Sequence, residues 1–177
     1  MDHPPPHSFS RSPVEEVFCR CTCRPGALSF TLAVPAPYPG WPVIRERIRE
    51  MVTGAGDISL VTGCMLRYTD LLPAGEGKTL PGTEDIAQLL SGIYNCSTTP
   101  EEVILIGTRI PGTAGSVCSI PDRPGKPGWT LAFTVHTEGP ARFISGDGIV
   151  EWFDGARAEI HRLFDLIVPE EILQALR

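Results

Sequence analysis

The spacing of apolar residues constrains this chain most, because it repeats every second residue in some segments and every three to four in others. Val17, Cys19, Cys21 and Cys23 alternate with Phe18, Arg20 and Thr22. A strand over Val14–Cys23 would turn these two sets to opposite faces. Pro25 and Gly26 break that run, and Leu28, Phe30, Leu32 and Val34 resume it, which predicts a hairpin. Ile58 to Tyr68 alternates again, with Ile58, Leu60, Thr62, Cys64, Leu66 and Tyr68 on one face and Val61, Met65 and Arg67 on the other. Three more strands are expected over Glu102 to Ile110, Ser116 to Ile120 and Trp129 to Thr137.

The helical period appears in three places. Trp41, Ile44, Ile48 and Met51 or Val52 mark a helix opened by Pro42 and closed by Gly54. A second helix, capped by the Thr83 hydroxyl, carries Ile86, Leu89, Leu90, Ile93 and Tyr94 as its stripe. From Gly148 onward, Ile149, Trp152, Phe153, Ala156, Ile160, Leu163, Phe164 and Ile167 form one broad face over about five turns. Pro169 interrupts it, and Ile172, Leu173 and Leu176 continue the stripe. This order predicts an α+β fold: a mainly antiparallel sheet of about six strands, helices on one face, and a long C-terminal helix. The length of 177 residues suits one such domain over residues 14–177, after a flexible proline-rich tail over 1–13.

Composition narrows the function classes. A net charge of −6 disfavours nucleic-acid binding, which would need Arg45, Arg47 and Arg49 to act as a stripe; Glu46 and Glu50 interleave them, as on a solvated helix face. No apolar run is long enough for a membrane helix, and the polar start is unlike a secretory signal. A soluble cytoplasmic protein with six reduced cysteines is therefore expected.

No catalytic motif stands out. Cys19, Cys21 and Cys23 could suggest a metal, but side chains two apart on a strand sit roughly 6–7 Å apart, too far for tetrahedral chelation. They read as core packing, as do Cys64, Cys96 and Cys118. His3 and His7 lack a third ligand nearby, so no metal and no cofactor are expected. Gly75–Thr79 is similar to a phosphate loop, but Leu72 stands where the motif needs glycine and Pro81-Gly82 separates it from the next helix. His136 and His161 are given no nucleophile by sequence, and near a helix C-terminus a positive charge on His161 would be favourable. Arg67, Tyr68 and Asp70 end an otherwise apolar strand; a half-covered arginine there needs an acceptor, either structural (a salt bridge or a loop carbonyl) or functional (an anion or a partner).

Tyr38-Pro39-Gly40-Trp41, Leu66-Arg67-Tyr68-Thr69-Asp70, Trp152-Phe153-Asp154 and Phe164 occur in that order. In these motifs the chain resembles a sporadically distributed family of uncharacterised prokaryotic proteins, over about residues 38–177. That family has a Tyr-Pro-x-Trp helix start, a Leu-Arg-Tyr-x-Asn segment, and a Trp-x-Asp helix followed by a histidine and a phenylalanine. Pro13 to Phe18 also echoes its N-terminal strand. Asp70 replaces the family's asparagine and Arg157 its helix histidine, and the chain reads as shorter in its N-terminal half. The resemblance implies a fold unit and no assigned reaction.

The leading expectation is a non-catalytic interaction or regulatory module, contacting a protein or small molecule through Arg67, Tyr68, Asp70, Trp41, Trp152 and His161. A second copy of the chain is among the expected partners. One alternative is a small-ligand binder, with Trp129, Phe133, Trp152 and Phe153 around a cavity between the sheet and the final helix. The other is an enzyme using Arg67, Tyr68, Asp70 and His161, the less favoured reading because no nucleophile is paired with a base.

Overall fold

The computed structural model describes residues 13–23, 29–55, 60–73, 80–120, 128–143 and 145–176. The expected tail (Pro13 apart), the Pro25-Gly26 break, Gly75–Thr79 and most of the turn after Ile120 lie outside them. Strands β1 (Val14–Cys23) and β2 (Phe30–Pro35) pair as the expected antiparallel hairpin, with Cys19 opposite Leu32. Helix α1 (Trp41–Gly54) follows, then β3 (Leu60–Leu72) and α2 (Thr83–Leu90). A meander of β4 (Asn95–Thr98), β5 (Glu102–Ile106), β6 (Thr113–Ile120) and β7 (Trp129–Thr137) completes the main sheet. The two-residue β8 (Ala141–Arg142) precedes α3 (Gly146–Ile167) and α4 (Glu170–Leu176).

The sheet has seven strands in line, in the order β2-β1-β3-β7-β6-β5-β4, with β8 paired to the start of β3. All these pairs are antiparallel. The expected count of about six misses β4 and β8. Both are short, and the exposed Asn95 and Ser97 of β4 give it no apolar alternation to detect. β3, by contrast, runs four residues past its expected end at Tyr68.

The strands bury one set of alternate residues under the helices. Val17, Cys19, Leu32, Val34, Cys64, Leu66, Val103, Leu105, Val117, Leu131, Phe133 and Val135 join Ile44, Ile48, Ile86, Leu90, Phe153, Ile160 and Leu163 in one core. The helix stripes are narrower than expected in α2, where Ile86, Leu90 and Tyr94 are buried while Leu89 and Ile93 face solvent. Thr83 is also not the cap of α2. Gly82 holds that place, and its amide donates to the Asp85 carboxylate at 3.2 Å. Val61 was expected on the outer face, yet it is fully buried. The register slips between Thr22 and Cys23, which face Gly63 and Val61, so Thr62 is the extra residue of a bulge. A bulge reverses the alternation beyond it.

Phe153 lies at the centre of the core, its ring 5.1 Å from Trp152 and 6.2 Å from Phe30. Phe153→Ala removes a fully buried ring and should cost about 3–5 kcal/mol. Leu89→Ala, on the exposed flank of α2, should change stability by less than about 0.5 kcal/mol. Urea denaturation of both variants measures the contrast, and equal losses would contradict this assignment of faces.

Candidate functional site

Strand alternation separates the residues that lie side by side in the Arg67-Tyr68-Asp70 segment. Tyr68 and Asp70 point into the helix-covered face and are buried; Arg67 points to the opposite face and is exposed. Arg67 faces Phe18 on β1 and Thr134 on β7 and makes no ion pair among the described residues. The expected structural acceptor is not needed, because water solvates an exposed guanidinium. The three residues therefore do not form one site.

A different cluster forms where the entry to α1, the middle of β3 and one flank of α3 meet. Gly40 adopts φ 90°, a conformation glycine tolerates best, and this turns the chain from Tyr38 into Trp41 at the start of α1. The Tyr38 and Tyr68 hydroxyls are 3.2 Å apart, with their rings edge to face. The Trp41 indole N–H donates to Asp154 Oδ1 at 2.7 Å, and Arg45 Nε lies 2.8 Å from Asp154 Oδ2. Arg45 was expected on a solvated face with Arg49. Instead it ties α1 to α3, and the Asp154 hydrogen bond and charge raise its pKa; Arg49 keeps an exposed partner in Glu46 at 2.6 Å.

One turn further along α3, the Arg157 guanidinium lies over the Trp41 ring at 5.6 Å. His161 follows one more turn along, its ring 6.1 Å from that of Tyr68. His161 reaches the surface, as expected, but the charge that the helix C-terminus would favour there is opposed by its surroundings. Desolvation of the ring among its neighbours, and then the Arg157 charge, lower its pKa to about 4. Burial first, then Tyr38, raise the Tyr68 pKa, while Arg157 opposes them. Among the described residues the site thus holds a neutral imidazole, a protonated Tyr68 phenol hydrogen-bonded with that of Tyr38, and one guanidinium without an ion-pair partner.

Comparison with protein-family models, curated proteins and solved structures finds no match. The geometry alone therefore sorts the expected site residues. It brings Trp41, Tyr68 and His161 together and adds Tyr38, Arg45, Asp154 and Arg157. It leaves Trp152 in the core against Phe153, with its indole nitrogen buried and unbonded. Phe133 and Phe153 are core side chains too, and the partly buried Trp129 packs against that core.

The thiols on the same sheet pack as expected, with Cys19, Cys21, Cys23 and Cys64 all buried. Burial pushes the Cys19 thiol up to about 12 and that of Cys23 to about 11. Cys21 lies opposite Cys64 across the β1–β3 pair, sulfur to sulfur 3.9 Å, and its pairing with the Cys64 thiol, together with burial, raises its pKa further. Cys19, Cys21 and Cys23 are therefore inert protonated thiols. Among the described residues, no three His, Cys, Asp or Glu side chains are placed to hold a metal ion.

A second polar cluster escaped sequence reasoning altogether. Glu159 is buried on another flank of α3. It accepts hydrogen bonds from the Tyr94 hydroxyl, from Arg162 at 3.1 and 3.2 Å, and from the Arg109 backbone amide. Arg162 also lies 5.0 Å over the Tyr94 ring. Every charge here has a partner, so the cluster pins α3 to the β4 side of the sheet. Its only trace in the sequence is a glutamate inside an apolar helical stripe.

Asp70 stands apart. It is 3 % exposed and has no hydrogen-bond or ionic partner among the described residues. Its neighbours Thr69, Thr130 and Ala132 are buried although they alternate away from the core, so the sheet is desolvated from both sides at this end. That burial raises the Asp70 pKa from 3.8 to about 7. Between these values the folded protein holds a proton that the unfolded chain has released, so stability falls as pH rises from about 4 to 7. Asp70→Asn removes the ionisation and should be more stable than the parent by about 1–4 kcal/mol at pH 8, the gap closing towards pH 4. Urea denaturation across that range measures it. Parallel stability curves for the two proteins would show that Asp70 titrates normally.

Proposed function

We propose that this chain is a non-catalytic interaction module whose contact surface is the Tyr38–Trp41–Tyr68–Arg157–His161 cluster. One observation carries the reading: residues from three distant segments converge on an exposed histidine and an unneutralised arginine, with no nucleophile paired to a base. A chemical site needs a group whose pKa suits proton transfer or attack near neutral pH. Tyr68, Cys19, Cys21 and Cys23 are held too high, and His161 too low, for that work. Fixed donors on a rigid helix suit recognition instead.

The same cluster supports the family resemblance. Tyr38, Trp41, Tyr68 and Asp154, four of the residues that carry it, are joined through Tyr38–Tyr68 and Trp41–Asp154 hydrogen bonds. On this reading the protein is prokaryotic and works in a reducing cytoplasm, which suits four cysteines serving as core side chains. No helix among the described residues is long and apolar enough to cross a membrane.

The test uses a photo-crosslinking amino acid placed at position 161, and separately at position 67 on the opposite sheet face, in native extract. A discrete adduct from position 161 and none from position 67 is the expected result. An adduct from position 67 alone would move the contact to the open sheet face, and none from either would overturn the reading.

A further inference from the structure

Resting on that reading of the cluster, we propose that Arg157, His161 and the Tyr38–Tyr68 pair bind an oxyanion, a carboxylate or phosphate group. Among the described residues, donors here outnumber the acceptors that face them. The nearest carboxylate along the helix, Asp154, sits one turn before Arg157, where an intrahelical ion pair would ordinarily form. Its oxygens are already taken by Trp41 Nε1 at 2.7 Å and by Arg45 Nε at 3.1 and 2.8 Å. Arg157 is left with no hydrogen bond among the described residues, and its Nε is buried without a partner. Burying a guanidinium nitrogen unbonded is costly, and a planar fork of donors is suited to two oxygens of one anion.

The groups beside Arg157 are donors as well. In the Tyr38–Tyr68 pair one hydroxyl donates to the other, which leaves the accepting hydroxyl's own proton unused. His161 is neutral and carries one ring N–H. Arg157 is close enough that its charge acts on both Tyr68 and His161. The Trp41 ring beneath the guanidinium fixes its plane while offering no acceptor oxygen. A cation and several donors converge here, and the acceptor oxygens that would satisfy them must come from outside the cluster.

The experiment follows the Trp41 indole and His161 imidazole resonances of the full chain while sodium phosphate or sodium acetate is added at constant ionic strength. Saturable shifts of both resonances are expected with at least one anion, and the stronger binder separates a phosphate from a carboxylate ligand. Arg157→Gln should weaken binding at least about tenfold, Arg157→Lys should weaken it less, and Arg67→Gln should leave it unchanged. Linear, unsaturable shifts, or equal binding by Arg157→Lys, Arg157→Gln and the parent, would overturn the proposal. If position 161 crosslinks a partner while neither anion saturates, the oxyanion site fails and the interaction module stands. Saturable anion binding without any crosslink would uphold the oxyanion site and remove the interaction module.

Discussion

The cover of one sheet face by helices sets the terms for everything else in this molecule. α3 lies over β3 and β7, and α1 packs against α3, so residues along each strand are assigned to the dry side or the other by parity alone. On β3 that parity sends Leu66, Tyr68 and Asp70 inward and Arg67 outward. A residue's chemistry is then decided by its depth under the helices. Tyr68 meets the polar flank of α3 and gains partners, whereas Asp70, two residues on, enters a stretch buried from both sides and gains none among the described residues.

The helix α3 combines two roles that its periodicity keeps apart. Ile149, Phe153, Ala156, Ile160, Leu163 and Ile167 form the core stripe, while Asp154, Arg157 and His161 follow one another along a flank at helical spacing. On a different flank Glu159 and Arg162 satisfy each other. Two α3 carboxylates, Asp154 and Glu159, are saturated by donors: Asp154 from α1, and Glu159 from Tyr94, Arg109 and Arg162. Arg157 is the cation of this set without an ion-pair partner among the described residues, and stacking on Trp41 orients it without discharging it.

Much of the fold was legible because it rests on local periodicity. β1 has the boundaries that alternation predicts, and α1 and α3 start within two residues of expectation. What was not legible depends on partners far along the chain. The Thr62 bulge that buries Val61 exists only in the pairing of β3 with β1. Arg45 looks solvated when α1 is read alone and becomes a tertiary ion pair only because Asp154 arrives more than a hundred residues later. The site was half legible: Trp41, Tyr68 and His161 were named, but adjacency in sequence suggested Arg67 and Asp70 as their companions. Adjacency on a strand means opposite faces, and the true companions, Tyr38, Asp154 and Arg157, lie on other elements.

Asp70 and Arg157 do not offset each other. A buried carboxylate and a guanidinium within reach would ordinarily pair, and pairing would lower the acid's pKa. Asp70 instead has a raised pKa whose cause is burial, with no contribution from Arg157. Each group must meet its own electrostatic cost separately. Asp70 can do so by holding a proton, because a carboxyl can become neutral under burial. Arg157 cannot, since a guanidinium stays charged at any ordinary pH. Its compensation has to be solvent, the Trp41 face, or an anion brought from outside. A buried Nε is shut off from solvent, and a ring face cannot accept the in-plane N–H bonds. An anion from outside therefore meets the guanidinium at its terminal nitrogens, because a nitrogen closed to water is closed to a larger ion as well.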